Sequence, residues 1–160
     1  MSTIDDIFDR IVNESADKRE QGTRFERAVK WFLQNDPSWQ ERLTDVWMWD
    51  EAPSEITHGR PDTGIDLVAK EEDGTYWAIQ AKCYTKTSLS RADADSFFAQ
   101  ALADGIYDHY MIADTATKYS SNLEEFLNGH PNQSFVRLDI DTLRESNLDW
   151  EAYEQGEASA

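Results

Sequence analysis

Residues 59–84 read GRPDTGIDLVAKEEDGTYWAIQAKCY, two runs of strand-forming residues joined by Glu72-Asp73-Gly74. This stretch constrains the fold more than any other. A hairpin loop sets which residues oppose each other, and strand side chains alternate between the two faces of a sheet. With Gly74 in the left-handed position of a three-residue loop, Glu71 faces Thr75. Stepping back along both strands brings Asp66 opposite Gln80, and Lys82, two residues further on, shares that face. Ile65, Leu67, Trp77 and Ile79 fall on the other face, in apolar packing. The pattern predicts an aspartate, a glutamine and a lysine converging on one surface of a hairpin.

Around the hairpin, helical spacing appears at Ile4, Ile7, Phe8, Ile11 and Val12, and again at Phe25, Ala28, Val29, Phe32 and Leu33. The charged stretch from Asp17 to Gly22 separates the two helices, and Pro37 ends the second. Val46 to Trp49 reads as a first strand. After the hairpin, Ser90 caps a helix running to about Ala103, with Phe97, Phe98, Ala101 and Leu102 available for burial. Tyr107 to Ala113 is a short apolar strand, Lys118 to Leu127 a helix, and Ser134 to Leu138 the last strand. Three antiparallel strands followed by alternating helix and strand imply an α/β fold, a mixed β-sheet flanked by helices. Residues 1–150 are expected to form one domain, and the acidic, small-residue segment 151–160 a linker or frayed tail.

The totals narrow the class. A chain of 160 residues is long enough to bury about two-thirds of its unfolded surface in a single core. No apolar run reaches the roughly 18 residues needed to span a bilayer, and MSTIDDIFDR lacks the features of a secretory signal, so the expectation is a soluble, cytoplasmic protein with no membrane partner. The lone Cys83 has no partner for a disulfide or a zinc site and alternates onto the apolar face as a buried, inert thiol. A net charge of −17 argues against tight, free-standing nucleic-acid binding, which relies on lysine and arginine at phosphates. The distribution is uneven, however. From Gly74 to Ala92 there is no acidic residue, while Lys82, Lys86 and Arg91 are all present.

An aspartate, a glutamine and a lysine together suit phosphodiester hydrolysis, which needs a hard divalent cation, an in-line water and a positive group against developing charge. Asp66 would bind the cation as a carboxylate, Gln80 would offer its side-chain carbonyl, and the backbone carbonyl of Ala81 would complete the protein ligands. Lys82 would position the attacking water and stabilise the pentavalent charge. Glutamine is a weaker ligand than a carboxylate, so metal affinity in the absence of DNA should be reduced. Arg60, Lys86 and Arg91 are candidates for DNA phosphates, though solvated charge is the commoner fate of such residues. His58, His109 and His130 show no ligand spacing and read as surface or packing residues, as Trp31 and Trp77 read as core. Glu124-Glu125 and Glu71-Glu72-Asp73 read as solvated faces.

Asp66 followed by Gln80-Ala81-Lys82 after a hairpin resembles the PD-(D/E)xK nuclease superfamily in its Mrr-like branch. The longer phrases FERAVKWFLQNDP, WMWDE, GRPDTGIDLVA, YWAIQAKCY and LDW are similar to the N-terminal nuclease domain of Type ISP restriction-modification enzymes and related helicase-fused proteins, over roughly Gln21 to Trp150. The resemblance implies a restriction-endonuclease-like fold and a Mg²⁺-dependent DNA endonuclease, with Mn²⁺ as a possible substitute. It also implies double-stranded DNA as substrate and attachment to an ATP-driven translocase, a methyltransferase and a target-recognition domain. In such enzymes a glutamate on the helix before the sheet often completes the site, and Glu26 matches that place. Thr23-Arg24-Phe25-Glu26 equally fits a capping box, in which Glu26 would only accept from the Thr23 amide. Asp62, the aspartate directly after Pro61, reads as a turn former, leaving Asp66 as the site's acid. Two rival readings remain: a nuclease-fold docking module that no longer cleaves, and an acidic DNA mimic, which would instead spread carboxylates regularly over one surface.

Overall fold

The computed structural model describes residues 3–60, 64–83, 88–89, 91–116, 118–128, 134–146 and 148–159. Helix α1 (Ile4–Glu14) starts at a Thr3/Asp6 capping box and buries Ile4, Ile7, Phe8 and Ile11, leaving Val12 at its edge 38% exposed. Helix α2 (Lys18–Asn35) begins earlier than the charged, glycine-containing sequence suggested, because Asp17 accepts from the Glu20 amide while Glu20 accepts from Ala16. Gly22 and Thr23 are thus interior residues of a long helix, and the capping-box role for Glu26 is ruled out. Asp36 ends α2 and caps the short α3 (Pro37–Arg42), with Pro37 in the first turn.

Strand β1 (Leu43–Met48) leads through a 3₁₀ turn (Trp49–Glu51) and α4 (Ser54–Thr57) to the hairpin strands β2 (Leu67–Glu71) and β3 (Tyr76–Lys82). Then come β4 (Ser88–Leu89), α5 (Arg91–Asp104), β5 (Tyr107–Asp114), β6 (Lys118–Tyr119), α6 (Ser121–Asn128), β7 (Ser134–Leu138), α7 (Ile140–Glu145) and α8 (Trp150–Ser159). The five-stranded sheet has the order β1-β2-β3-β5-β7, antiparallel across its first three strands and parallel from β3 to β7. The mixed sheet expected from the sequence is the one observed. Lys118 and Tyr119, expected to open a helix, instead pair in parallel with Ser88 and Leu89, and α6 starts only at Ser121. Ser90 lies outside the described residues.

Each face of the sheet carries its own core. On one side Leu67, Ala69, Trp77, Ile79, Met111 and Ala113 pack under α1, α2, α7 and α8. On the other, Val68, Ala78, Tyr110 and Ile112 meet Ala94, Phe97, Phe98 and Ala101 of α5, while Leu102 turns outward, 40% exposed. Ile65 belongs to this second core and not, as expected, to that of Leu67, because the regular alternation begins only where β2 does. Glu71 is also a correction to the sequence reading. It is nearly buried, accepting from the Trp77 indole at 2.8 Å and from Arg42 Nε at 3.0 Å, while the Arg42 guanidinium lies over the Trp77 ring. His109 also stacks on that indole, a packing role.

The segment after residue 150 is no frayed tail. Trp150 and Tyr153 of α8 are buried against Trp31, and Trp150 lies parallel to Phe32, so the last helix closes the first core. Among the described residues no helix is long and apolar enough to cross a membrane. Replacing Trp150 by alanine should lower unfolding stability by about 3–5 kcal/mol, the usual cost of removing a large buried aromatic. Urea denaturation reads this directly, and a change below about 0.5 kcal/mol, typical of a surface position, would show that α8 does not belong to the core.

Candidate active site

The hairpin closes as its loop chemistry requires. Gly74 has a φ of 91°, its amide donates to Glu71, and the Glu71 amide donates to Thr75. The ladder then runs Lys70–Tyr76, Ala69–Trp77, Val68–Ala78 and Leu67–Ile79. Continued one step it would set Asp66 opposite Gln80. Asp66 instead lies just beyond the ladder's end and brackets Gln80. Its amide donates to the Ile79 carbonyl at 2.9 Å, and its Oδ2 accepts from the Ala81 amide at 2.9 Å. Its own carbonyl accepts from Trp49 at 3.0 Å, so the backbone of Asp66 is held by β3 on one side and by the 3₁₀ turn that follows β1 on the other.

Alternation along β3 is visible in the two cores. Trp77, Ile79 and Ala81 face α2, while Ala78 faces α5, which assigns Gln80 and Lys82 to the α5 side. Gln80 is 2% exposed and its Oε1 is buried without a hydrogen-bond partner. A buried amide oxygen left unpaired costs about 1–3 kcal/mol, which a bound cation or water would relieve. The backbone groups of Thr75, Trp77, Ile79 and Ala81 are directed toward β2, since one residue's N–H and C=O point to the same side. The Ala81 carbonyl therefore heads for the side of the Asp66 carboxylate. The Asp66 carboxylate, Gln80 Oε1 and the Ala81 carbonyl would supply only oxygen ligands, the kind a hard divalent cation prefers. Among the described residues no three His, Cys, Asp or Glu side chains group as a metal site, so any cation here would rest on one carboxylate and two neutral oxygens.

Two neighbouring features hold this end of the hairpin in place. Gly64, with φ 135°, packs so closely on α5 that a Cβ would come within 2.8 Å of the Ser96 carbonyl group. Only glycine allows the chain to reach Asp66 along that route. On the opposite side, Gln21 of α2 donates to the Cys83 carbonyl at 3.3 Å and Lys30 pairs with Glu51 at 2.7 Å. Glu26, half-buried, lies between these anchors, one turn before Lys30 and on the same side of the helix. Cys83 packs against the first core, and burial raises its thiol pKa.

The remaining candidates separate. Arg60 is committed within the fold, donating to Asp104 at 2.8 Å and to the Thr57 carbonyl at 3.0 Å. Arg91 is exposed, over the Phe126 ring and 3.5 Å from Asp95. His58 caps α4 with a left-handed φ of 54°. Lys86, Asp62 and His130 lie outside the described residues. The sequence reading missed Asp114, which is fully buried at the C-terminal end of β5 and in register with Lys82. It accepts from Arg137 Nε and Nη2 at 3.2 and 3.0 Å and from the Ala116 amide at 3.0 Å. Burial raises its carboxyl pKa, and the Arg137 contacts oppose that shift. The available signal was an aspartate closing an apolar run, at the strand ends where open α/β sheets place their sites.

A mixed sheet whose antiparallel hairpin meets a parallel strand at an Asp…Gln-x-Lys set defines a restriction-endonuclease-like fold. The chain belongs to the Mrr_cat_2 restriction endonuclease family, whose model matches residues 34–160, that is, everything from the end of α2 onward. The structure is also similar to that of the ATP-dependent Type ISP restriction-modification enzyme LlaBIII bound to DNA, with a TM-score of 0.74 and 28% identity. That match covers 94% of this chain and 9% of the enzyme's chain. No curated protein matches the chain.

Gly64→Ala should destabilise the fold by about 1–3 kcal/mol through overpacking on α5 and pull Asp66 off the Ala81 amide. Denaturation together with faster hydrogen exchange at the Ala81 amide would register both effects. Unchanged exchange there would show that Gly64 does not set the position of Asp66.

Proposed function

We propose that this chain is the metal-dependent DNA endonuclease module of a larger ATP-driven restriction enzyme, hydrolysing phosphodiester bonds in double-stranded DNA. The observation that carries this reading is the buried, unpartnered Gln80 Oε1 beside an Asp66 carboxylate anchored on Ala81. Asp66, Gln80 and the Ala81 carbonyl would hold the cation, Mg²⁺ or Mn²⁺. When bound, that ion would neutralise charge on the phosphate and lower the pKa of an attacking water. Lys82, on the same face as Gln80, would orient the water in line with the leaving oxygen and offset the charge developing on the phosphoryl oxygens. Glu26 sits on α2, across the sheet from the face that carries Gln80 and Lys82, and its part in the site rests on the family resemblance alone. Lys86 and Arg91 would meet the DNA backbone. Arg60, being tied to Asp104, would shape the loop before Asp66 and have little capacity left for phosphate.

The charge balance supports delivery by a partner. A domain of net charge −17 gains little affinity from phosphates. Attachment to a DNA-bound translocase, alongside methyltransferase and target-recognition domains in a cytoplasmic enzyme, would supply the missing local concentration. On this reading Asp66→Ala and Lys82→Ala abolish Mg²⁺-dependent plasmid cleavage by the full enzyme and leave its ATP hydrolysis unchanged. Gln80→Glu, which restores a charged ligand, lowers the metal concentration needed for half-maximal cutting, whereas Gln80→Leu eliminates cutting. Cleavage that survives Asp66→Ala would rule out the assigned site. A wild-type enzyme that never cuts, with its fold and ATPase intact, would favour the non-cleaving docking module.

A further inference from the structure

Lys82, Asp114 and Arg137 stand on three successive strands, β3, β5 and β7, and on one face of the sheet. Lys82 and Asp114 are register partners, so their side chains emerge side by side from neighbouring strand ends. Arg137 lies on the same face, since its register partner Ile112 and its strand neighbour Phe135 both pack on the α5 side. A fully buried carboxylate next to a lysine would ordinarily capture it, because an unpaired buried charge is strongly unfavourable. Here it does not. Among the described residues Asp114 makes its ion pair with Arg137, at 3.0 Å, and no salt bridge joins it to Lys82. Arg137 Nη2 also donates to the Ala116 carbonyl at 2.8 Å, and its guanidinium sits 4.2 Å from the Tyr119 ring centre, so the arginine is fixed from three directions. The Ala116 amide and Arg137 together occupy the carboxylate, and the Thr115 amide holds the Lys82 carbonyl at 3.2 Å.

We infer that Arg137 is a positioning residue for the nuclease site: by engaging Asp114 it keeps that carboxylate from pairing with Lys82 and leaves the lysine's ammonium to the attacking water. This rests on the nuclease reading of Lys82, but it concerns a contact that can be observed without any reaction. Removing Arg137 should let Asp114 draw Lys82 inward and silence it. Removing the Asp114 charge as well should release it. Any buried ion pair can show such a rescue in stability, so the deciding readout is the environment of the Lys82 ammonium itself.

The test uses Arg137→Gln, Arg137→Lys, Asp114→Asn and the Asp114→Asn/Arg137→Gln pair in the full enzyme. Arg137→Gln should lower the single-turnover cleavage rate at least tenfold, with duplex affinity, measured in Ca²⁺, changed less than twofold. The double variant should recover most of that loss, and Arg137→Lys, which keeps the positive charge, should stay within a fewfold of wild type. A double variant as slow as Arg137→Gln or slower would overturn the inference. Should Arg137→Gln not fold, Arg137→Lys and Asp114→Asn decide: both near wild type upholds it, and a tenfold loss in Asp114→Asn overturns it. A readout without DNA is the carbon-13 NMR signal of reductively dimethylated Lys82. It should shift in Arg137→Gln and return in the double variant, and no shift would overturn the inference even if the enzyme never cut. Cleavage persisting in Asp66→Ala would instead remove the nuclease reading, a separate result.

Discussion

The hydrogen bond from the Ala81 amide to the Asp66 carboxylate is the contact on which the site depends. It lies just past the point where the β2–β3 ladder stops, so it substitutes a side chain for the next backbone rung at the open end of the hairpin. Gly64 sets the approach on one side by its closeness to α5, and Trp49 holds the Asp66 carbonyl on the other. With Asp66 fixed, Gln80 is enclosed and its amide oxygen has no protein partner. An unpaired buried acceptor is a local cost that a bound cation or water would relieve.

Much of this was legible in the sequence because hairpins are governed by short-range rules. A Glu-Asp-Gly loop, β-branched and aromatic strand residues, and period-two alternation together fixed the register from Leu67–Ile79 to the turn. The mixed order of the sheet followed from the spacing of later elements, and β7 was placed at its observed ends. What alternation could not show was the last step. Asp66 lies outside the regular strand, so it bonds across to Ala81 and not into a simple pair with Gln80, and Ile65 joins the opposite core.

The failures share a cause, which is that solvation of a charged or small residue is decided by tertiary contacts. Glu71 looked like a surface acid beside Glu72 and Asp73, yet the Trp77 indole and Arg42 enclose it. The residues after Trp150 looked like an acidic tail, yet Trp150 and Tyr153 place an apolar stripe of α8 against Trp31. Asp17 and Glu20 looked like part of a break, though they are the residues that start α2. Asp114 attracted no notice because its partner, Arg137, comes from a strand 23 residues away. Local pattern identifies elements, whereas long-range pairs decide which polar groups are inside.

The acidity of the chain and a proposed site that would offer only oxygen ligands fit together physically. One carboxylate and two neutral oxygens bind a cation weakly until a phosphate adds its own oxygens and charge. The most direct measurement is therefore anomalous diffraction from crystals of the protein with Mn²⁺ and duplex DNA. A manganese peak within about 2.5 Å of an Asp66 carboxylate oxygen, Gln80 Oε1 and the Ala81 carbonyl, and absent from Asp66→Ala crystals, is the expected result. Bound DNA with no metal at this position, or manganese held by other residues, would contradict it.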